Sequence, residues 1–383
     1  MSAYGKRVMV LGAVVVAAIV PAAATAATGA GAGAQVAAVS AVSAASATTL
    51  TVYGLLDMGL VRESGGAAGA VTRLTSGLSN GSRLGFKGTE SLGNGWSALF
   101  VLESGVQLDS GVIGQGGVLF GRQSFVGLSG PAGTLTLGRQ YTAHFDTLAL
   151  ADPFASGTVG DAKNLLPSTG DAATRLTNAI HYAWQGQRGW RLEVQHAPGE
   201  VAGSASAGRQ WGGAVGYTMG ALQLRLGYHY RNNDTPTTHL SAARNTLLAA
   251  VVNLGAVKLH AAYGIDRGIN SALPRNGGNP YGYPALAIAG QTTDSTDVLL
   301  GVSAPWGPHT VLASYVRKDD HGATARDARQ VALGHRYALA PRLDTYMVLA
   351  RLRNHNGASY TLGNASETGT GNRAVSAGIR YRF

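Results

Sequence analysis

Charged side chains punctuate one stretch of this chain at regular intervals. Between Ser82 and Arg139 four short runs alternate apolar and polar residues, separated by glycine-rich turns, with Arg83, Glu103, Arg122 and Arg139 set among them. Asp146, Asp152, Asp161, Lys163 and Asp171 then follow before the next arginine, Arg175. Successive side chains of a strand point to opposite faces, so alternation sorts residues into two sets. A face that carries arginine and carboxylate can solvate and sort ions in water. Guanidinium stays charged at any physiological pH, and its planar fork can be held by neighbours. Opposed charge across a narrow lumen makes a transverse field that orients polar solutes, and rings of arginine bias a pore toward anions.

Other chemistries find little support. There are no cysteines, which removes disulfides, Cys-ligated zinc and thiol catalysis together. The ten histidines show no H-x-x-x-H or H-x-H grouping, so no transition-metal site is expected. Gly29-Ala-Gly-Ala-Gly33 has no strand before it and no Lys-Ser/Thr after it, so it is not a phosphate-binding loop. His229 and His260 share the polar, inward parity, which does not suit a lipase-type barrel site on the lipid side. We expect no catalytic residues and no cofactor. The net charge of +10 is spread as single arginines, which suits a solvated lumen better than a nucleic-acid face.

Lys6 and Arg7 precede the apolar run Val8 to Val20, which is too short to span a bilayer as a mature helix. This pattern predicts a secretory signal peptide. Small-x-small sites end near Ala24, Ala26 and Ala47, and cleavage after Ala47 is favoured, making residues 1–47 a signal peptide with an Ala/Gly-rich leader. That removes two bases and no acid, taking the net charge to +8.

From residue 48 onward strand follows strand. Leu222, Leu224, Leu226, Tyr228 and Tyr230 oppose Gln223, Arg225, His229 and Arg231. Ile180, Tyr182 and Trp184 oppose Arg175, Thr177 and His181. Arg191, Arg209, Arg225 and Arg231 read as solvated lumen or rim residues. Tight turns alternate with long polar connections such as Asp266 to Thr293 and Asn354 to Asn372. The strands are long, the polar face carries Arg, His and Glu repeatedly, and aromatics sit near strand ends on the apolar face. A soluble sandwich would have short turns at both ends and an apolar core face. The pattern therefore predicts an all-β fold, a 16-stranded antiparallel transmembrane β-barrel with lipid outside and water inside.

The motifs Leu50-Thr-Val-Tyr-Gly-Leu-Leu-Asp57, Ser82-Arg-Leu-Gly-Phe-Lys-Gly-Thr-Glu-Ser-Leu-Gly93, Arg122-Gln-Ser-Phe-Val-Gly-Leu-Ser-Gly130, Gly133-Thr-Leu-Thr-Leu-Gly-Arg-Gln140 and Ala377-Gly-Ile-Arg-Tyr-Arg-Phe383 resemble the general porins of Gram-negative bacteria, of the beta-proteobacterial trimeric type. The resemblance covers residues 48–383. It implies a homotrimer in the outer membrane, passive diffusion of small hydrophilic solutes and ions, and a third loop, residues 140–175, folded inward as a constriction. It places Arg83, Arg122 and Arg175 in a basic wall cluster, with Arg139 a fourth member nearer the rim. The loop acids Asp146, Asp152 and Asp161 would oppose them, and the motif does not choose which acid does so. Glu103 would hold the arginines apart or simply line the lumen. Expected partners are outer-membrane lipid and lipopolysaccharide, and the barrel assembly machinery through the strand ending in Phe383. With inward arginines and a charge of +8, mild anion selectivity is expected. A substrate-specific channel is the alternative, with a barrel adhesin or barrel enzyme behind it.

Overall fold

The computed structural model describes residues 48–66, 69–167, 174–239, 242–269, 271, 293–323, 325–358, 360–365 and 369–383. The expected leader, Asp171 and most of the connection from Asp266 to Thr293 lie outside the described residues.

Seventeen strands form one antiparallel sheet. They are β1 (Thr49–Gly66), β2 (Gly69–Ser76), β3 (Arg83–Gly93), β4 (Trp96–Gly105), β5 (Gln123–Gly130) and β6 (Gly133–Tyr141). After the third loop come β7 (Arg175–Gln185), β8 (Trp190–Ala197), β9 (Gln210–Met219), β10 (Leu222–Arg231), β11 (Ala243–Asn253) and β12 (Lys258–Gly268). The last are β13 (Thr293–Trp306), β14 (His309–Asp320), β15 (Ala328–Ala340), β16 (Leu343–Asn354) and β17 (Arg373–Arg382). β1 pairs with β17, which closes the sheet into a barrel. Its other edge pairs with β2 through residues 58–66 and with β3 through residues 49–55. β2 and β3 are therefore two halves of one barrel position, and the sixteen positions expected from the sequence are filled.

Closure leaves no unpaired edge, the condition for carrying strands through hydrocarbon. The outward set is apolar and solvent-accessible, for example Leu60, Leu74, Val126, Leu137, Leu300 and Leu349. Rings near the ends of the strands add a girdle, including Trp184, Trp190, Trp211, Trp306 and Tyr381. The inward set is polar, and much of it is buried because the third loop fills part of the lumen.

The interruption between β2 and β3 organises that filling. Gly77 turns with φ +70°, and residues 77–82 leave the wall. Asp57, on the inward face of β1, holds them: its carboxylate accepts bonds from the Ser79 and Asn80 amides at 3.2 and 2.9 Å, and from the Tyr346 hydroxyl at 2.6 Å. Arg380 reaches both the Ser79 and Asn80 side chains and pairs with Asp344 at 3.0 Å.

The third loop leaves β6 and forms a helix, Ala143–Ala151, capped by the Thr142 hydroxyl accepting from the Phe145 amide. Gln195 on β8 accepts from the Ala143 amide at 2.8 Å and donates to the Tyr141 carbonyl at 2.7 Å. Further on, Pro153 packs at Gly301 of β13 and Phe154 at Gly334 of β15. The Thr158 amide donates to the Leu78 carbonyl at 2.6 Å. Gln330 of β15 donates to the Gly160 and Asp161 carbonyls and accepts from Asn164. Leu148, Val159, Leu165 and Leu166 of the loop are buried in a cluster with the wall residues Leu247, Leu299 and Val348. Each such leucine is worth roughly 2–5 kcal/mol against truncation to alanine.

A Cβ on Gly157 would lie 1.7 Å from the Ser79 carbonyl oxygen, so only glycine lets the loop tip meet the interruption. Gly157→Val is expected to lift the tip and raise single-channel conductance while the barrel stays folded. Conductance equal to that of the unchanged protein in planar bilayers would contradict this seating.

Candidate pore constriction

Arg83, Glu103 and Arg122 meet on the inner wall where β3, β4 and the start of β5 adjoin. Glu103 is buried and pairs with Arg122 Nε at 2.7 Å and with Arg83 Nε at 3.8 Å. The Tyr53 hydroxyl donates to its second oxygen at 3.0 Å. Tyr141, at the end of β6, accepts from Arg122 at 2.7 Å and from Arg175 at 3.1 Å. The Arg175 guanidinium also sits over the Tyr141 ring, 4.7 Å from its centroid. Arg83 and Arg122 share the Glu103 carboxylate and Arg175 joins them through Tyr141, so three guanidiniums and one carboxylate carry a local charge of +2. Lys87, at the next inward position after Gly85, adds another cation 5.4 Å from the Tyr53 ring.

The members are not equally accessible. The Arg83 side chain is 25% exposed against 7% for Arg122. Arg83 therefore presents its charge to the lumen, whereas Arg122 and Glu103 form its framework. Tyr53 and Tyr141 were not singled out from the sequence. A signal for Tyr53 exists: a Cβ on Gly85 would come within 2.4 Å of the Tyr53 ring, so the glycine of Ser82-Arg-Leu-Gly85 makes room for it.

Arg175 joins the cluster by a route that alternation did not foresee. β7 advances three residues against two of β6 between Leu176 and Ala179, with Asn178 at φ +56°. This bulge breaks the common face proposed for Arg175, Thr177 and His181. Arg175 instead reaches Tyr141 from the strand end.

Arg139 does not join the cluster. It shares the outward parity of Leu135 and Leu137, lies opposite Ser124, and donates to the Gly121 carbonyl and the Thr177 hydroxyl, each at 2.7 Å.

The loop acids do not oppose the arginines either. Asp152 is buried within the loop and accepts from the amides of Phe154, Ser156 and Ala162 at 2.9, 3.1 and 3.0 Å. Asp161 accepts from the Lys163 amide at 2.9 Å and pairs with Lys163 Nζ at 3.0 Å. Short polar side chains that bond backbone two residues on are turn formers, and Asp-Pro and Asp-x-Lys were legible as such. Asp146 is solvent-facing, over a cavity of about 490 Å³ that Arg191, Glu193, Gln223 and Arg225 also line. Arg225 is not a solvated rim residue. It is buried, grips Glu193 at 3.0 and 2.9 Å, and donates to Thr147 Oγ1 at 2.9 Å, tying the loop helix to β8 and β10.

A closed antiparallel barrel with an apolar outer face, a charged lumen and a loop folded inside it defines an outer-membrane channel protein. A sequence profile described as Gram-negative porin matches residues 22–357. Over 356 residues the chain is 29% identical to outer membrane porin protein 32 of Delftia acidovorans, covering 88% of this chain and 94% of that one. It is 27% identical over 334 residues to an outer membrane porin protein of Bordetella pertussis, covering 81% and 84%. Among solved structures it matches the anion-selective porin from Comamonas acidovorans with a TM-score of 0.73 at 28% identity, covering 88% of this chain and all of that one. The chain belongs to the Gram-negative porin family. It is an outer-membrane β-barrel that forms a water-filled channel for passive diffusion.

Two loop groups titrate in opposite senses. Burial holds the His144 imidazolium down to about 4, below its ordinary 6.5. Burial, and then the neighbouring Asp161 charge, push the Asp152 carboxyl up to about 7. As pH falls from 6.5 to 4, a released loop gains the His144 proton before a seated one, so seating weakens. As pH falls from 7 to about 4, the seated loop takes the Asp152 proton first, so seating strengthens. Asp152→Asn is therefore expected to loosen the loop progressively on acidification below pH 6.5, and His144→Phe to tighten it below pH 7. Amide exchange across residues 143–164 reads both; parallel pH profiles for the two variants would refute the assignment.

Proposed function

We propose that the narrow point of this pore is the Arg83–Glu103–Arg122–Tyr141–Arg175 cluster facing the third loop, and that it makes the channel mildly anion-selective. The supporting observation is the charge count: three guanidiniums stand against one carboxylate, while Asp152 and Asp161 spend their lone pairs inside the loop. A cation entering this region meets uncompensated positive charge, whereas an anion meets donors held in place by phenol and carboxylate. The solved relative described as anion-selective is consistent with this reading. Small hydrophilic solutes pass by diffusion, with no catalytic step.

We also propose that the chain works as a homotrimer. The outward face of β3 to β6 is mainly aliphatic, with Leu84, Val126, Leu128, Leu135 and Leu137 exposed, Phe86 and Phe100 half-buried among them and Trp96 at a turn. β7 to β12 instead carry outward Tyr182, Trp184, Trp190, Trp211 and Tyr263. Amphipathic rings belong at a lipid headgroup boundary, so the face with fewer of them suits another copy of the chain. The remaining outer surface meets the lipids of the outer membrane, phosphorylated glycolipid among them.

Reversal potentials in a KCl gradient test the selectivity. The unchanged protein is expected to favour chloride, and Arg83→Glu, which takes the cluster from +2 to zero, to abolish that preference. Cation selectivity in the unchanged protein would overturn the assignment. Arg83→Ala is expected to shift selectivity at a stability cost under about 1 kcal/mol, because its partly exposed pair is weak. Arg122→Ala strands a buried carboxylate and should cost about 3–5 kcal/mol in denaturant unfolding. Three equal closing steps in single-molecule records would support the trimer; single steps only would refute it.

A further inference from the structure

A row of arginines crosses the outer face of the barrel at its extracellular end. Arg317 on β14 lies opposite Arg329 on β15, Arg329 opposite Arg353 on β16, and Arg351 on β16 opposite Arg373 on β17. Arg62 on β1 lies opposite Val375, two residues along β17 from Arg373. All six are exposed. The strands of the five other than Arg62 run into or out of the connections 321–327 and 355–372, and Arg62 stands level with them through its pairing with β17, so the row lies at the end remote from the turns 307–308 and 341–342. They also share the outward parity of Tyr315, Val331, Leu349 and Val375.

Residues directly opposite in antiparallel strands have Cβ atoms roughly 4.5–5.5 Å apart, and like charges there repel. Three such arginine pairs in adjoining registers are costly unless an anion sits among them. Arg317 pairs with Asp319 at 2.9 Å, and Arg62 donates to the Thr72 hydroxyl at 3.1 Å. Among the described residues no acid pairs with Arg329, Arg351, Arg353 or Arg373. The charges therefore point to something outside the chain.

What lies below the row supplies the other half of a ligand. Arg62, Arg351 and Arg373 border an outward groove of about 470 Å³ whose membrane-ward walls are Val331, Leu333, Leu349 and Val375. These apolar side chains are 39–53% exposed. Guanidinium binds phosphate bidentately, and basic side chains at a membrane surface recruit anionic headgroups. On β9 to β11 the corresponding extracellular belt is aromatic, with Trp211 packed on Tyr228 and Tyr230. Arg244 and Arg267 also face outward on β11 and β12, but Arg267 is paired with Asp294 and Arg244 lies over Tyr230. Among the described residues the sector from β14 through β17 to β1 gathers six such arginines above an apolar trough.

We infer that this sector is a binding site for a phosphorylated, acylated glycolipid of the outer leaflet, with phosphate held by Arg351, Arg353 and Arg373 and acyl chain laid in the groove beneath. The inference rests on the reading that such lipid surrounds the extracellular half of the barrel, and it is independent of pore selectivity. The site is a sequence-local feature of β15 to β17 and needs no contribution from the lumen.

The test uses the full folded protein in detergent, with bis-phosphorylated lipid A as probe and its dephosphorylated form as control, read by native mass spectrometry. The triple variant Arg351→Ala/Arg353→Ala/Arg373→Ala should bind lipid A about tenfold or more weakly, as expected for the loss of charge-assisted bonds. The triple lysine variant should keep most of the binding. Dephosphorylated lipid should bind the unchanged protein as poorly as lipid A binds the alanine variant. Equal binding by unchanged and alanine-substituted protein would overturn the site. Complete displacement of lipid A by inorganic phosphate would assign the row to a free anion instead. A change of oligomeric state in the alanine variant with lipid binding intact would assign it to a contact between copies. Conductance measured on the same samples should be unchanged, which separates failure of this site from failure of the channel assignment.

Discussion

One buried carboxylate, that of Asp57, sets where the inward loop can rest. A loop folded into a water-filled lumen must have each buried amide and carbonyl met, either by the wall or by its own side chains. Asp57 meets that demand indirectly. Its carboxylate fixes the Ser79 and Asn80 amides and the Tyr346 hydroxyl, and so shapes the short departure between β2 and β3. The carbonyl exposed there, that of Leu78, is the one that receives the Thr158 amide from the loop tip. Gln195 and Arg225 hold the other end of the loop. The opening left between the loop and the arginine wall is the remainder of these contacts.

The electrostatics follow from which carboxylates are already occupied. Asp152 is saturated by three amides and Asp161 by an amide and Lys163, so neither projects charge across the lumen. Glu103 is the exception on the wall, and its role is to let Arg83 and Arg122 approach one another. Tyr141 does the same for Arg122 and Arg175 with a neutral oxygen. A phenol can accept from two guanidiniums without cancelling their charge, so the cluster stays crowded and positive.

Alternation made the barrel legible. The four runs from Ser82 to Arg139 are β3 to β6, and the alternations read from Leu222 to Arg231 and from Ile180 to Trp184 fall within β10 and β7. Lipid outside and water inside impose a strict period of two, and sequence carries such a period well. The site was legible where a motif named its residues, as for Arg83 and Arg122, and less so where geometry departs from the period. The bulge at Asn178 could not be seen in Arg175-Leu-Thr-Asn-Ala-Ile180. Parity did place Arg139 outward with Leu135 and Leu137, against its assignment to the wall. The loop acids look alike in sequence because capping and charge display use the same side chain. Only the positions of the amides distinguish them.

Closure of the barrel through β1 and β17 has a consequence for how this protein is made. The Tyr346–Asp57 bond joins residues 289 apart in the chain, and Arg380 reaches residues 300 positions earlier. The part of the loop's seat that Tyr346 and Arg380 supply is therefore complete only when the final strand has found the first. During biogenesis the wall comes before the filter: a barrel still open at its seam would hold its arginines on β3 and β4 with no loop fixed across from them. The full set of contacts that holds the loop depends on closure of the barrel at its seam. A chain that stalls before its last strand pairs would be a leak rather than a sieve.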